Sequence, residues 1–189
     1  MTRTRMAVVG RDGPVCDVRA RLRSDLASVA ELPCGASAVH QLAHALQAAA
    51  LAQCAGARPA VVAAALLHDI GWAHAVAAEL PGAPHERAGA AYCARLLGKE
   101  VGWLVGSHVL AKRVLVATDA GYVGKLSAAS RRSLAVQGGP AAAVEVSRFL
   151  RHPLAADAMM LRGWDDLATV AGAPTPSLDD LLDVVMATA

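Results

Sequence analysis

The sequence is poor in aromatic residues, which make up 3% of its 189 residues, and it has no block of like charge. Strands draw on aromatic and β-branched residues, whereas the alanine and leucine that dominate here favour helices. The net charge of +2 comes from interspersed basic and acidic side chains, so no nucleic-acid-binding surface is indicated. The composition therefore predicts an all-α, single-domain helical bundle.

Cysteine pairs with the spacing of a metal or redox motif are also missing. The four cysteines, Cys16, Cys34, Cys54 and Cys93, show no CxxC pattern and are expected to be reduced core residues. No uncharged apolar stretch approaches the roughly 20 residues of a membrane span. The apolar segment that starts at Met6 is too short for a signal peptide. We therefore expect a cytoplasmic protein with no membrane or nucleic-acid partner.

Apolar spacing and breaker residues divide the chain into helices. The predicted helices cover residues 15–32, 37–55, 59–71, 84–97, 99–117, 127–136, 140–152, 153–171 and 177–187. Residues 72–84 and 119–125 are predicted to be connections, because glycine or proline recurs in both. The length and the absence of internal repeats predict one domain.

The most informative stretch runs from Leu66 to Gly71, where His68 and Asp69 follow an apolar run. A charge buried in such a run is costly unless it is paired, and a metal ion is the usual partner of an adjacent His and Asp. The alternative is that His68 caps the end of a helix and Asp69 starts a turn. An aspartate that can bridge two ions, beside a histidine that binds one, predicts a two-metal centre.

Further candidate ligands lie on other predicted helices, as is usual for a metal site inside a helical bundle. The candidate metal ligands are His44, His68, Asp69, His85, His108 and Asp165. A single histidine is more often a satisfied core residue or a surface residue, but several in an Ala/Leu core favour a shared site. Imidazole and carboxylate without thiolate favour iron, manganese or zinc. The histidines left without a role are His40, His74 and His152.

A second set of polar residues predicts an anion pocket beside the metals. The candidate substrate-binding residues are Lys112, Ser130, Ser133, Gln137 and Arg162. Lys112 shares a helical face with His108, and Arg162 shares one with Asp165. The other three residues form a polar line on one face of a short helix. The alternatives are a lysine that extends to the surface and a polar line that faces solvent. Cationic, hydroxyl and amide groups that converge beside metals are what a phosphate or phosphonate requires.

Seven short segments together suggest a family. They are Gln41-Leu42-Ala43-His44-Ala45-Leu46-Gln47, Leu67-His68-Asp69-Ile70-Gly71, His85-Glu86, His108-Val109-Leu110-Ala111-Lys112-Arg113, Leu126-Ser127-Ala128-Ala129-Ser130, Ser133-Leu134 with Gln137-Gly138-Gly139, and Leu161-Arg162-Gly163-Trp164-Asp165-Asp166. This pattern resembles the HD-domain superfamily and, within it, the mixed-valence diiron oxygenases related to myo-inositol oxygenase. It is most similar to their phosphonate-cleaving PhnZ/TmpB-type branch, over about residues 38–168. Many phosphohydrolases share the HDIG segment, whereas the later blocks are more specific.

The resemblance implies an HD-type helical bundle over residues 1–189, with helices 15–32 and 177–187 packed on the motif-bearing core. It implies a mixed-valence Fe(II)/Fe(III) pair bound by His44, His68 and Asp165 on one side and by His85 and His108 on the other, with Asp69 bridging. The five candidate substrate-binding residues would hold the phosphonate oxygens. The implied activity uses dioxygen at the metals to cleave the C–P bond of a small 1-hydroxyalkylphosphonate, giving a carboxylic acid and phosphate.

The chain departs from this branch at the entrance to the implied site. Members that act on aminoethylphosphonates have a Tyr and a Glu shortly before the first His, where this chain reads Cys34-Gly35-Ala36-Ser37. Trp72 stands where another His is frequent. Without an acid at the entrance, a small or apolar substrate such as hydroxymethyl- or hydroxyethylphosphonate is expected. Because the ligands alone do not decide the reaction, a metal-dependent phosphohydrolase of phosphate monoesters or nucleotides and a non-catalytic sensor are alternatives.

Overall fold

A computed structural model describes residues 13–34 and 39–188, with side chains from Asp17 onward. Within these ranges the chain forms helices and no β-sheet, apart from an isolated bridge between Pro33 and His40. The helices are α1 (Gly13–Ser28), α2 (Gln41–Cys54), α3 (Pro59–Leu67), α4 (His74–Glu79), α5 (His85–Leu97), α6 (Lys99–Thr118), α7 (Tyr122–Lys125), α8 (Ala128–Val136), α9 (Ala143–Leu150), α10 (Ala155–Leu167) and α11 (Leu178–Met186). The prediction of an all-α bundle is confirmed.

Proline and glycine set several helix ends where the sequence predicts them. Pro59 begins α3, and α5 lies between Pro84 and Gly98. The prediction of an unbroken connection over residues 72–84 is wrong, because α4 lies within it and buries Val76. The connection predicted over 119–125 is likewise wrong in part, since it contains α7. The predicted helix start at Ser37 lies outside the described residues.

The helix α3 is the centre of the bundle. Every residue from Val61 to Leu67 is buried, which is typical of a helix surrounded by others. Helices α2, α6, α10 and α11 all pack against it. The terminal helices α1 and α11 are joined by Arg19, whose guanidinium pairs with Asp179 and Asp183. Because α3 ends at Leu67, the residues that follow it emerge in the middle of the molecule.

Close packing of α5 against α6 aligns the two helices. At Gly102 of α6, an added Cβ would lie 2.6 Å from the Cβ of Ala94 on α5, so a larger residue would push the helices apart. The smaller helices α7 and α8 pack on a separate cluster formed by Tyr122, Leu126 and Leu134. None of the described helices is both long enough and apolar enough to cross a membrane.

The prediction that the cysteines are core residues holds for Cys93 alone among the described side chains. Cys93 is buried, Cys34 is partly exposed and Cys54 is exposed. Cys54 is the last residue of α2, where the helix ends at the surface. The side chain of Cys16 lies outside the described part of the chain.

Candidate metal centre and anion pocket

The first of two clusters of metal-ligand types lies between α2, α3 and α10. His44 of α2 and His68, which follows α3, bring their Nε2 atoms within 3.1 Å of each other. Oδ1 of Asp165, on α10, lies 3.2 Å from Nε2 of His44 and 3.8 Å from Nε2 of His68. Three separate parts of the chain thus direct donor atoms at one common space.

The second cluster adjoins the first and shares Asp69 with it. His85 begins α5 and His108 lies midway along α6, with their Nε2 atoms 3.2 Å apart. Oδ1 of Asp69 lies 3.2 Å from Nε2 of His85 and 3.7 Å from Nε2 of His108. Its other oxygen, Oδ2, lies 3.7 Å from Nε2 of His68. Asp69 therefore presents one carboxylate oxygen to each cluster, as a bridging carboxylate does.

The outward nitrogen of each imidazole is paired with an acceptor. Nδ1 of His44 donates to the backbone carbonyl that follows α10, at 2.8 Å. Nδ1 of His68 and of His108 donates to a carbonyl three positions earlier in the chain, at 2.9 and 2.7 Å. Nδ1 of His85 lies 3.3 Å from Oε2 of Glu86. Because a carbonyl or carboxylate oxygen can only accept a hydrogen bond, each Nδ1 carries a proton, and the Nε2 atoms face the clusters.

This protonation pattern provides a test of whether the residues fit metal ions. If the four imidazoles are neutral, two unprotonated Nε2 atoms repel each other at the 3.1 Å between His44 and His68 and at the 3.2 Å between His85 and His108, and either a shared proton or a cation removes the repulsion. A cation among the donor atoms turns each repulsion into coordination. Two groups of three residues have their donor atoms within 4.8 Å of one another: His44, His68 and Asp69, and Asp69, His85 and His108. The donor set therefore fits two metal ions bridged by Asp69, and nitrogen and oxygen donors without thiolate suit iron, manganese or zinc.

Burial and charge set the protonation of these groups. Burial opposes ionisation of Asp69 and Asp165, but neighbouring basic groups, chiefly His68 and Arg162 respectively, hold the pKa of both carboxyls below its ordinary value. Burial, aided by the neighbouring imidazole of His68, lowers the pKa of His108 to about 3. The aspartates are thus ionised and His108 is neutral near pH 7, which are the forms that bind a metal. Against the opposing effect of burial, the hydrogen bond with Asp165 raises the pKa of His44 and that with Asp69 raises the pKa of His85, so a metal ion competes with protons at these two imidazoles.

The glycine of the His-Asp-Ile-Gly segment allows α5 to approach the first motif. An added Cβ on Gly71 would lie 2.0 Å from the carbonyl oxygen of His85. A side chain at this position would therefore separate His85 from Asp69. The imidazole of His85 also stacks on the half-exposed ring of Trp72, with the ring centroids 4.5 Å apart and the ring planes inclined by 13°.

An anion pocket lies on the α8 side of the clusters and contains Lys112. This lysine is 3% exposed, so the alternative that it extends to the surface is wrong. Its Nζ donates to Oγ of Ser133 at 2.8 Å. Burial, and to a smaller extent the nearby charge of Arg162, lowers the pKa of Lys112 to about 8. The ammonium thus donates to a neutral hydroxyl and not to a carboxylate, so its charge is available to an anionic ligand.

Arg162 joins the anion pocket to the first metal cluster. It is 4% exposed, and its NH1 donates to Oδ2 of Asp165 at 2.5 Å. Its NH2 donates to Asp166 and lies 3.4 Å from Oγ of Ser130, while its Nε donates to the hydroxyl of Tyr122 at 3.2 Å. The Tyr122 hydroxyl in turn donates to Asp166. Arg162 is therefore held from both ends, by a candidate metal ligand and by a Tyr-Asp pair.

One cavity of about 720 Å³ connects the metal clusters with the anion pocket. Its lining includes all five candidate substrate-binding residues, Lys112, Ser130, Ser133, Gln137 and Arg162. It also includes five of the candidate metal ligands, namely His44, Asp69, His85, His108 and Asp165. His68 is the exception: its side chain is buried and does not line the cavity. A cavity with metal-ligand types at one end and cationic and hydroxyl groups at the other can hold an anion against a metal pair.

The structure therefore brings together every residue that the sequence predicts for the site. Those it leaves outside both clusters are the histidines without a predicted role: His40 and His74 are exposed, and His152 stacks on Trp103 with centroids 3.6 Å apart. Sequence reasoning missed Tyr122, because it lies in a stretch read as a connection. It also missed Gln41, which lines the cavity one helical turn before His44.

Comparisons with known proteins give consistent results, although no protein-family model matches the chain. A hydroxymethylphosphonate dioxygenase of Gimesia maris is 40% identical over 151 residues, which are 75% of this chain and 74% of that protein. A glycine-betaine-forming [1-hydroxy-2-(trimethylamino)ethyl]phosphonate dioxygenase of Leisingera caerulea is 35% identical over 140 residues, 70% of each chain. The chain belongs to the phosphonate-cleaving branch of the HD-domain oxygenases.

Proposed function

We propose that this protein is an iron-dependent oxygenase that cleaves the C–P bond of a small 1-hydroxyalkylphosphonate. One substrate molecule and one O2 would give a carboxylic acid and phosphate, so that hydroxymethylphosphonate would yield formic acid. Both relatives named above as phosphonate dioxygenases act on substrates with a hydroxyl on the phosphorus-bearing carbon. The observation that carries the proposal is Asp69, whose two oxygens face two histidine pairs beside a cationic pocket.

We further propose that the metal is a mixed-valence Fe(II)/Fe(III) pair. His44, His68 and Asp165 would hold one iron, His85 and His108 the other, and Asp69 both. When bound, such a pair supplies binding and one-electron activation of dioxygen, which the side chains of a protein cannot provide. The backbone carbonyls behind three of the imidazoles keep their Nε2 lone pairs directed inward, so that the ligands need little reorganisation on metal binding.

The cationic pocket would bind the phosphonate group. Lys112 and Arg162 offer N–H donors and charge, and Ser130, Ser133 and Gln137 offer neutral hydrogen-bonding groups around the same cavity. Hydrogen bonds from charged donors to phosphonate oxygens are stronger than those between neutral groups. Binding of a dianion also favours the protonated form of Lys112, whose pKa is about 8 in the buried site. The phosphonate would thus be fixed at one end of the cavity.

Fixing the phosphonate would orient the neighbouring carbon towards the metal end of the cavity. The Lys112 side chain lies one helical turn after His108, and Arg162 hydrogen-bonds directly to Asp165. An anion held by both therefore lies next to both metal clusters, and its C–H bond is presented to the oxidising site. Trp72, stacked on His85, covers the second cluster with an apolar ring and so limits access of water.

The remaining features of the proposal concern the chain as a whole. We propose that residues 1–189 form one HD domain and that the protein acts in the cytoplasm. A small or apolar substituent on the substrate fits best, because Leu32, Pro33, Cys34 and Gln41 bring no charge to the wall that precedes His44. Hydroxymethyl- and hydroxyethylphosphonate are the substrates that we would test first.

One experiment separates this reaction from ester hydrolysis and from binding without turnover. The protein, loaded with Fe(II) and partly oxidised, is incubated with hydroxymethylphosphonate and separately with phosphate monoesters, in air and under argon. We expect phosphate from hydroxymethylphosphonate in air alone, together with one formate per phosphate. Phosphate from the esters under argon would instead identify a hydrolase, and binding without release would identify a sensor.

The metal part of the proposal has its own measurement. Electron paramagnetic resonance of the partly oxidised protein should show the signal of a coupled Fe(II)/Fe(III) pair, and that signal should change when hydroxymethylphosphonate is added. A matched variant, Asp69→Asn, should lose the coupled signal because the amide cannot offer an anionic oxygen to both clusters. A protein that is active with a single metal ion per chain would contradict the dinuclear centre.

A further inference from the structure

One wall of the cavity belongs neither to the metal clusters nor to the anion pocket. Leu32, Pro33, Cys34 and Gln41 line it. Gln41 is the first residue of α2, and its backbone N–H donates to the carbonyl of Leu32 at 2.9 Å. Because Gln41 precedes His44 by one helical turn, both residues lie on the same face of α2. A polar side chain is thus fixed beside the first metal cluster.

The side-chain amide oxygen of Gln41 is buried and accepts no hydrogen bond from the residues that the structure describes. The residue is 8% exposed, and Oε1 has no hydrogen-bond partner in the described part of the chain. Gln47, two turns further along α2, is equally buried but fully paired: its Nε2 donates to the carbonyl of Val170 and its Oε1 accepts from the N–H of Val170, both at 3.0 Å. Most buried polar atoms have a partner, so an acceptor left unpaired in a cavity wall indicates a place for a ligand's donor.

A second buried amide oxygen without a partner, that of Gln137, has a different position. Gln137 directly follows α8, the helix that carries the serines of the anion pocket. From that pocket, hydrogen bonds lead through Arg162 to Asp165, and Asp165 lies 3.2 Å from His44. Gln41 lies one helical turn before His44 in the sequence. The contacts of Arg162, Asp165 and His44 therefore separate it from the anion pocket. Gln41 thus belongs to a part of the cavity wall that lies outside the anion pocket.

We propose that Oε1 of Gln41 accepts a hydrogen bond from the hydroxyl group of the substrate, and that Gln41 thereby sets the preference for hydroxylated phosphonates. A phosphonate dianion has acceptor oxygens alone and cannot satisfy Oε1, whereas an alcohol O–H can. The trimethylammonium group in the substrate of the Leisingera caerulea relative has no N–H to donate to Oε1, and the neutral amide of Gln41 could not balance its charge. Since the hydroxyl belongs to the substrate proposed above, this role for Gln41 rests on the proposed function.

Binding measured without turnover tests this role. Iron-loaded protein is titrated under argon with hydroxymethylphosphonate and with methylphosphonate, which lacks the hydroxyl, by isothermal titration calorimetry. In Gln41→Leu we expect hydroxymethylphosphonate to bind about 3- to 10-fold more weakly, as loss of one neutral hydrogen bond predicts. Methylphosphonate should bind as it does to the wild-type protein. Iron content should be unchanged, because Gln41 is not among the candidate ligands.

Gln47→Leu is the matched control, since it removes a buried amide from the same helix. Its paired amide is structural, so we expect a lower midpoint of thermal unfolding and an unchanged ratio of the two dissociation constants. Gln41→Leu should unfold at the wild-type temperature or above it, because no internal hydrogen bond is lost. Equal weakening of both ligands in Gln41→Leu, or weakening of neither, would overturn the role of Gln41 alone. Failure of both ligands to bind the wild-type protein would overturn the proposed function as well.

Discussion

The two ends of the cavity are built in different ways. At the metal end, the imidazoles of His44, His68 and His108 are each anchored to a backbone carbonyl, and the helices that carry them pack into the main core. At the anion end, the functional side chains are held by one another, as Lys112 is by Ser133 and Arg162 is by Asp166. The backbone thus orients the ligands, whereas a side-chain network orients the groups that bind the anion.

This difference predicts how each end responds to substitution. Changes at the metal end should alter metal content and, with it, all activity. Changes at the anion end should alter substrate binding while the metals stay in place, because no backbone anchor of a metal ligand is touched. Residue Asp165 belongs to both ends, since one of its oxygens faces His44 and the other accepts from Arg162.

The largest effect is expected for Asp69→Asn at the metal end. An amide has one acceptor oxygen and no charge, so it cannot serve both histidine pairs. Removal of a residue that only hydrogen-bonds to a metal ligand already costs about 10- to 100-fold in metal affinity or activity. Removal of the bridging carboxylate itself should lower the metal affinity further. Metal analysis should find less than the wild-type content per chain. His74→Gln, which changes an exposed histidine outside both clusters, should keep its metals. Full metal content and activity in Asp69→Asn would refute the bridge.

At the anion end, Lys112→Ala should impair substrate binding and leave the iron content normal. A hydrogen bond from a charged group is worth about 1.5–3 kcal/mol, so kcat/KM should fall roughly 10- to 150-fold. Lys125→Ala is the control, because Lys125 is exposed and pairs with Asp119 at the surface. It should have wild-type kinetics. Iron loss in Lys112→Ala would show that the two ends are not independent.

The pH dependence offers a milder test of the same residue. The pKa of Lys112 is lowered to about 8, so the ammonium that attracts the anion is present below that pH and is lost above it. We therefore expect kcat/KM to fall about tenfold per pH unit above pH 8, since this ratio reports on groups of the free enzyme. In Lys112→Arg the side chain stays charged, and the fall should move to higher pH. An identical profile in the two proteins would assign the titration to another group.

The sequence indicated the histidines of the metal end more directly than the side-chain network that surrounds Arg162 at the anion end. His44, His68 and His108 are polar residues within or directly after apolar helical stretches, a pattern that indicates a shared partner without knowledge of the fold. Tyr122 gives no such signal, because it starts a four-residue helix that the glycines around it conceal. Its role depends on the approach of α7 to α10. Pairing of this kind is a tertiary property that local periodicity does not encode.

Tyr122→Phe should have the smallest effect and gives the finest test of the comparison. The hydroxyl of Tyr122 donates to Asp166 and accepts from Arg162, so its removal leaves the Arg162 guanidinium less firmly oriented. We expect KM to rise about 3- to 10-fold, the range for one neutral hydrogen bond, with kcat and metal content unchanged. The measurement is steady-state kinetics in air with hydroxymethylphosphonate, together with metal analysis.

The other tyrosine of the chain provides an unusually close control. Tyr92 is also buried, and its hydroxyl donates to the buried carboxylate of Asp25 at 2.6 Å, but it does not line the cavity. Each Tyr→Phe change leaves a carboxylate with one donor fewer, and both variants should lose about 1–3 kcal/mol of stability towards urea. If both lose stability and Tyr122→Phe alone raises KM, the side-chain network at the anion end orients the substrate. If KM rises equally in both variants, the change reflects a general loosening of the fold. The anion end would then be oriented by the overall fold, as the metal end is, and not by its side-chain network.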